Sequence, residues 1–419
     1  MCPISELRKQ FPIFNTSNNE DFFIYLDSGA TSQKPRQVIE SVDSFYREQN
    51  ANVHRGLHTL STQATSAFEQ AREKVANFLN VQNKEIVWTS GATDSINIIA
   101  NGIKAQLNPG DVICVSALEH HANIVPWQEL CKEKGCILKV LPITKLGILD
   151  LKSSVELIFE QKPKIVAISH ASNALGNIQP VEKIIQAAHK VAATTVVDGA
   201  QAFMHLRPDL SKLDCDFYVF SAHKALGPTG LGVLYGKYDQ LNALNPLRFG
   251  GEMIKEVSFE QTSFQDAPSK FEAGTPNISA VIGFSAALDF LNSIDHKELQ
   301  QYEQRLYNYL LTQLRSINDI IIYGDTENNI GTVSFRYKNE HHFDLATFLN
   351  GYGIAIRSGH HCTQPLMKSL GIDGTIRVSL AFYNNRDDIN AFIHALKELS
   401  LIHISEPRDR QKSRMPSSA

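Results

Sequence analysis

Short apolar segments alternate with helical patterns over the first half of this 419-residue chain. Seven segments have the length and apolar, β-rich composition of buried strands: 85–90, 112–117, 136–143, 164–170, 194–198, 217–222 and 230–236. Helical patterns occur between several of them, at 93–106, 125–134 and 181–192. Strands that alternate with helices are joined by crossover connections, which place parallel strands side by side. The pattern therefore predicts an α/β fold with a large, mostly parallel sheet.

The pattern changes after about residue 275. Long helical stretches at 279–293 and 297–316 precede alternating strands and further helices, which is typical of a smaller α+β domain. We predict an N-terminal segment that packs on the small domain, a large domain, a small C-terminal domain and a tail, at 1–30, 31–260, 261–400 and 401–419. The tail is rich in Ser, Pro, Arg and Lys without periodicity, and we predict that it is non-native or disordered.

Composition argues against several classes of protein. With 40 Lys and Arg residues against 44 Asp and Glu residues, the chain lacks the basic excess that drives nucleic-acid binding. No apolar segment approaches the roughly 20 residues that span a bilayer, and the N-terminal sequence has no signal-peptide core. The six cysteines are scattered, without disulfide-framework or zinc spacing. We therefore predict a cytoplasmic protein with no nucleic-acid, membrane or metal partner, in which Cys114 and Cys215 are core thiols.

Polar, reactive residues follow five of the predicted strands. In open α/β sheets, ligands bind at the carboxyl ends of the strands, so these residues are candidates for one site. They are Thr93, His120, His121, Asn173, Asp198, Gln201, Ser221, His223 and Lys224, and Ala92 precedes Thr93 at the same helix start.

Three of these groups together suit one cofactor. Thr93 opens a helix whose N–H groups and hydroxyl can bind a phosphate, although a Thr N-cap explains the residue equally well. Asp198 could cap a helix, ligate a metal or pair with a protonated ring nitrogen. Lys224 lies between an apolar strand and a glycine-rich turn, where a desolvated lysine can form a Schiff base. A phosphate anchor, a carboxylate and such a lysine are what pyridoxal 5′-phosphate (PLP) requires.

The chain carries nine motifs in order: YLDSGATSQKP (25–35), NVHRGLHTLS (52–61), SGATDSIN (90–97), EHHANIVPWQ (119–128), HASNALG (170–176), VDGAQA (197–202), DFYVFSAHKALGPTG (216–230), FEAGTPN (271–277) and RSGHHCTQPLM (357–367). With these motifs the sequence resembles, from about Leu7 to Leu399, a group II cysteine desulfurase of the sulfur-mobilisation (SUF) type, a fold-type I PLP enzyme. It is also similar to selenocysteine lyases. The resemblance implies a PLP-dependent transferase fold with the cofactor on the large domain. It also implies a homodimer that converts L-cysteine into L-alanine and passes sulfur to an acceptor carrier protein for iron–sulfur cluster assembly.

The resemblance also implies a role for each matching residue. Lys224 corresponds to the Schiff-base lysine, Asp198 to the carboxylate that keeps the pyridine nitrogen protonated, and Gln201 to the group that binds the phenolic oxygen. His120 corresponds to the histidine that stacks on the ring and acts as an acid–base group, with His121 as the competing choice. The implied phosphate-binding residues are Ala92, Thr93, Ser221, His223 and, from the other subunit, Thr275. The implied substrate-binding residues are Asn173, Arg357 and Arg377.

Cys362 lies in a Gly- and His-rich segment between a predicted strand and a predicted helix. A single cysteine is usually a buried structural thiol. Cationic neighbours favour the reactive thiolate form of a cysteine, and Arg357, His360 and His361 are close in sequence. The resemblance implies that Cys362 attacks the substrate sulfur and carries it as a persulfide.

Three other functions remain open at this point. A selenocysteine lyase uses the same fold and the same motifs, so the possible substrates include L-selenocysteine. An aminotransferase or epimerase uses the same cofactor but requires no nucleophilic cysteine, so Cys362 argues against both. A sulfur-scaffold protein without catalytic activity would need neither Lys224 nor Asp198.

Overall fold

A computed structural model describes residues 4–15, 23–324, 327–338 and 340–405. Its strands are β1 (Ile24–Tyr25), β2 (Ile86–Thr89), β3 (Val112–Ser116), β4 (Ile137–Leu141), β5 (Ile165–Ser169), β6 (Thr194–Asp198), β7 (Phe217–Ser221), β8 (Gly232–Gly236), β9 (Ile254–Val257), β10 (Thr262–Phe264), β11 (Ile320–Tyr323), β12 (Thr332–Tyr337), β13 (Ile354–Ala355), β14 (Arg357–Gly359) and β15 (Thr375–Ser379).

The α-helices of the same described residues are α1 (Ile4–Leu7), α2 (Arg36–Ser44), α3 (Thr59–Leu79), α4 (Ala92–Ile103), α5 (Val125–Lys134), α6 (Leu151–Gln161), α7 (Val181–Lys190), α8 (Ala202–Leu206), α9 (Leu210–Leu213), α10 (Tyr238–Ala243), α11 (Ile278–Asn292), α12 (His296–Arg315), α13 (His342–Asn350), α14 (Gln364–Ser369) and α15 (Arg386–Ser405). The last helix thus extends five residues into the predicted tail, and residues 406–419 lie outside the described residues.

A seven-stranded sheet forms the centre of the molecule, in the order β2-β8-β7-β6-β5-β3-β4. Six of its strands run in one direction and β8 runs against them. Successive residues of one strand enter different hydrophobic clusters: Val112 and Cys114 join one, whereas Ile113 and Val115 join the other. Both faces of the sheet are therefore covered, which is why its strands read as continuous apolar runs instead of alternating ones. The predicted α/β class with a mostly parallel sheet is confirmed.

A second, antiparallel sheet has four strands in the order β11-β12-β15-β14. Its residues share a hydrophobic cluster with helices α12, α13 and α15. The N-terminal segment lies beside this part of the chain, because β1 pairs in parallel with β13 and Phe11 packs against Phe382 and Tyr383. The domain boundaries at 30/31 and 260/261 stay predictions.

No single helix among the described residues is both long and apolar enough to cross a membrane. Helices α11 and α12 meet such a criterion only when they are counted together, and a bend of 85° separates them.

Candidate active site

A cavity of about 240 Å³ opens at the carboxyl ends of β2, β3, β5, β6 and β7. These five strands all run in the same direction, so their carboxyl ends lie at the same edge of the sheet. Twelve of the thirteen predicted site residues line the cavity: Ala92, Thr93, His120, Asn173, Asp198, Gln201, Ser221, His223, Lys224, Arg357, Cys362 and Arg377. Thr275 does not line it and is exposed just before α11.

Lys224 ends a 3-10 turn, Ala222–Lys224, that directly follows β7. Burial lowers the pKa of Lys224 to about 8, although the nearby Asp198 carboxylate opposes this effect. A lysine amine with such a pKa is uncharged in an appreciable fraction of molecules near neutral pH. Lys224 can therefore act as a nucleophile or as a base.

Asp198 ends β6 and is buried at the floor of the cavity. Its Oδ1 accepts a hydrogen bond from the backbone N–H of Ala200 at 2.9 Å. Burial nevertheless raises the pKa of Asp198, and Lys224 only partly opposes that shift. A cationic ring N–H bound in the cavity would compensate the buried carboxylate, so the residue suits the pyridine nitrogen of PLP.

The first turn of α4 faces Ser221 across the cavity. The Oγ of Ser221 accepts a hydrogen bond from the backbone N–H of Ala92 at 2.8 Å. Gly232 of the neighbouring strand β8, which pairs with Ser221, allows the start of α4 to approach the sheet: a Cβ there would lie 2.4 Å from the Cα of Gly91. The helix start, Thr93 and His223 thus surround one end of the cavity, an arrangement that suits a phosphate group.

His120 and His121 differ in their relation to the cavity, although both line an adjacent groove. His120 lines the cavity, where burial and the nearby Lys224 lower its pKa to about 4. Its Nδ1 accepts a hydrogen bond from the backbone N–H of Ala122 at 3.0 Å, so the neutral ring carries its proton on Nε2. His121 instead lines only the groove. His120, the residue preferred from the sequence, thus lines the cavity and His121 does not, and the ring-stacking role of His120 stays a prediction.

Arg377 is buried at the other end of the cavity. Its Nη1 donates to the carbonyl oxygen of Asn173 at 3.0 Å and its Nη2 to Oδ1 of Asp27 at 2.9 Å. Its Nε is buried without a partner within the described ranges. The second oxygen of Asp27 accepts two hydrogen bonds from Arg357, both at 3.2 Å. Two guanidinium groups thus face one carboxylate, and the excess positive charge suits a bound substrate carboxylate.

Cys362 is exposed and also lines the cavity. Cys114 and Cys215 are buried in the core, as predicted, and burial raises the pKa of both, in Cys114 to about 12. Thiols held in the protonated form by burial are poor nucleophiles. Among these three cysteines, Cys362 alone combines exposure with a place beside Lys224.

The chain matches the aminotransferase class-V family over residues 24–392. It is 45% identical over 94% of its length to a probable cysteine desulfurase of Halalkalibacterium halodurans, of which it covers 97%. A cysteine desulfurase of Pectobacterium carotovorum subsp. carotovorum is 44% identical over 95% of the chain and 98% of that protein. The chain belongs to the cysteine desulfurase family.

Solved structures of cysteine desulfurases have the same fold. The S-sulfonic acid form of cysteine desulfurase CsdA from Escherichia coli superposes with a TM-score of 0.89 and 39% identity, over 96% of this chain and 99% of that one. The apo enzyme from Thermococcus onnurineus gives a TM-score of 0.90 and 36% identity, over 95% and 98% of the two chains. The family and the fold expected from the sequence are both confirmed.

Two polar residues near this cysteine desulfurase site were not singled out from the sequence, Asp27 and Lys34. Both lie in the motif YLDSGATSQKP, so the motif itself was the available signal. Asp27 bridges Arg357 and Arg377. The Nζ of Lys34 donates to the carbonyl oxygen of His223 at 2.8 Å and to that of Ser32 at 2.6 Å. Lys34 therefore braces the peptide bond that leads into Lys224.

The stability of the protein is expected to depend on the ionisation of Lys34. Burial lowers the pKa of this lysine to about 7 from 10.5. Between pH 7 and 10.5 the unfolded chain therefore binds more protons at this residue than the folded chain, so folding stability rises with pH. In the wild type we expect the free energy of unfolding to rise by on the order of 1–3 kcal/mol between these pH values because of Lys34, and we expect Lys34→Met to lack this rise. Urea unfolding at pH 7, 8.5 and 10 measures it, and parallel profiles for the two proteins would contradict the prediction.

Proposed function

We propose that this chain is a PLP-dependent cysteine desulfurase, which converts L-cysteine into L-alanine and carries the sulfur as a persulfide on Cys362. One observation carries the proposal: the exposed Cys362 thiol lines the same cavity as Lys224 and Arg377. Membership of the family supports the reaction type. An aminotransferase or an epimerase has no use for a thiol at this position.

Lys224, Asp198, Gln201 and His120 would hold the PLP ring, and Ala92, Thr93, Ser221 and His223 its phosphate. The fit rests on the buried Asp198 carboxylate, which faces the cavity without a cation in direct contact among the described residues. When bound, the cofactor supplies an electron sink for the charge that develops at the substrate α-carbon.

Different residues of the chain bind the substrate, accept its proton and attack its sulfur. Arg377 binds the substrate carboxylate, with Asn173 and Arg357 beside it. The Nζ of Lys224 accepts the α-proton, which its lowered pKa allows near neutral pH. The Sγ of Cys362, as a thiolate, forms a bond to the substrate sulfur while the carbon–sulfur bond breaks. The carbon skeleton takes up protons and leaves as L-alanine, and the sulfur remains on Cys362.

The proposal is tested by incubating the holoenzyme with L-cysteine and a thiol reductant. We expect L-alanine and sulfide in equal amounts, without any requirement for a 2-oxo acid. A parallel assay with L-selenocysteine addresses the alternative substrate. Consumption of selenocysteine alone would replace the proposal with a selenocysteine lyase. A requirement for a 2-oxo acid would indicate an aminotransferase.

We also propose that the enzyme is a homodimer in which Thr275 of the partner subunit completes the phosphate site. The position of Thr275 supports this, since it is exposed and lies outside the cavity of its own chain. Delivery of the sulfur to an acceptor carrier protein for iron–sulfur cluster assembly is the proposed fate of the persulfide, and the exposure of Cys362 supports it. The cytoplasmic location stays a prediction.

A further inference from the structure

The segment that carries the nucleophile, residues 360–364, is here named the Cys362 loop. Two consecutive residues in it, His361 and Cys362, have φ angles of 53° and 57°. This left-handed conformation is unfavourable for residues other than glycine, and it persists only where surrounding contacts enforce it. The contacts that hold the Cys362 loop therefore decide where the thiol lies.

His121 provides two of these contacts. Its backbone N–H donates to the carbonyl oxygen of Cys362 at 2.8 Å. Its ring Nε2 accepts a hydrogen bond from the backbone N–H of Gln364 at 3.1 Å. Gln364 is the first residue of α14, where N–H groups have no acceptor within the helix. The His121 ring thus caps α14 and joins it to the segment that carries His120.

We propose that His121 is a positioning residue for the nucleophile: its neutral ring holds the Cys362 loop over the cavity, and protonation of the ring releases it. A backbone N–H can donate only to an unprotonated nitrogen, so the bond from Gln364 requires a neutral ring with its proton on Nδ1. In the imidazolium form both ring nitrogens are donors, and this bond is lost. The contribution of this residue to sulfur transfer rests on the proposed function.

The surroundings of the ring favour the neutral form near pH 7. Burial, and the nearby His360, lower the pKa of His121 below its ordinary value of 6.5. The titratable or charged groups around it are His120 on the same segment, His360 and Cys362 on the loop, and Lys104, Glu129 and Glu133, which line the same groove. Release of the loop is therefore expected only below pH 6.5.

The other contacts of the Cys362 loop do not titrate in this range. The Nδ2 of Asn173 donates to the carbonyl oxygen of His361 at 2.6 Å. The Nε2 of His361 lies 2.8 Å from Oγ1 of Thr375, and burial lowers the pKa of His361 to about 3. These contacts therefore persist at pH 5. Burial raises the pKa of Glu119, two residues before His121, to about 7, so the comparison needs a variant that keeps Glu119 and changes only the ring of His121.

Amide hydrogen exchange on the holoenzyme, followed by mass spectrometry of the peptide that contains Gln364, tests the proposal. We compare the wild type with His121→Phe, which lacks the acceptor, and His121→Gln, whose amide oxygen accepts without titrating. His394→Phe, on the exposed face of α15, is the matched control. After correction for intrinsic exchange, protection in the wild type is expected to fall about fivefold between pH 7.5 and pH 5, as for one lost hydrogen bond.

The two His121 variants are expected to distinguish loss of the hydrogen bond to the His121 ring from a general loss of folding. His121→Phe is expected to show the low protection at both pH values, and His121→Gln the high protection at both. Wild-type protection in His121→Phe at pH 7.5, or an unchanged acid response in His121→Gln, would overturn the proposal. In the desulfurase assay, kcat is expected to fall in His121→Phe with KM unchanged, since Arg377 still binds the substrate carboxylate. The exchange result does not depend on turnover, so it stands even where the proposed activity fails.

Discussion

Lys224→Ala is expected to lose the covalent attachment of the cofactor and to produce L-alanine from L-cysteine at least about 1,000-fold more slowly than the wild type. Lys224 Nζ is the amine that lies in the cavity with Asp198, and its pKa of about 8 suits proton transfer near neutral pH. Alanine at this position leaves Asp198, Arg377 and Cys362 in place but removes the base. The loss therefore concerns kcat more than binding of the substrate carboxylate.

Reduction with borohydride gives the second measurement. It should fix the cofactor to the wild type, whose mass then increases by the mass of the reduced cofactor, and leave the variant unchanged. Lys152→Ala, on the exposed face of α6, is the matched control and should behave as the wild type in both assays. The far-UV circular dichroism of the variant, compared with that of the wild type, verifies the fold. A variant with normal turnover would exclude Lys224 as the base.

Six of the seven strands of the central sheet were predictable because both of their faces are buried, whereas the edge strand β4 is mostly exposed or half-buried. The predicted segments 112–117 and 164–170 contain Val112–Ser116 and Ile165–Ser169 with an error of one residue at most. A fully buried strand needs only a run of apolar residues, which is a local property of the sequence. Helix α3, Thr59–Leu79, was not predicted, since its pattern mixes small, polar and apolar residues and its buried face is narrow.

The positions of the candidates that follow the strands came from the same local rule, whereas Thr275, Arg357 and Arg377 were implied only by the resemblance, and Arg377 lies in the middle of β15. Contacts between distant segments of the chain could not be predicted from a local rule. Asp27 binds Arg377, 350 residues later, and Lys34 binds the carbonyl oxygen of His223, 189 residues later. Only the folded chain brings these groups together. The capping of α14 by His121 is of the same kind, since no local pattern links a histidine to a helix 243 residues away.

Cys362→Ala is expected to lower L-alanine formation from L-cysteine at least about 100-fold, which corresponds to roughly 2.7 kcal/mol of transition-state stabilisation. The thiol is exposed, lines the cavity and is held by a loop in a strained conformation, so alanine preserves the shape of the site and removes only the nucleophile. Mass spectrometry after a single turnover should find one additional sulfur atom on the wild type and none on the variant. Cys136→Ala, at a half-buried cysteine outside the cavity, should form L-alanine and carry the additional sulfur atom as the wild type does.

The outcome of the Cys362→Ala experiment discriminates between mechanisms because the substrate sulfur has two possible routes. If Cys362 accepts it, the carbon skeleton retains the electron pair of the broken bond and, after protonation, leaves as alanine. If no thiol attacks, sulfur leaves with that pair as sulfide, and β-elimination yields pyruvate and ammonia. Equal alanine formation by both proteins would therefore exclude Cys362 as the nucleophile. A switch from alanine to pyruvate in the variant would instead show that the remaining residues, Lys224 and Arg377 among them, still activate the substrate and that the thiol alone directs the sulfur to the protein.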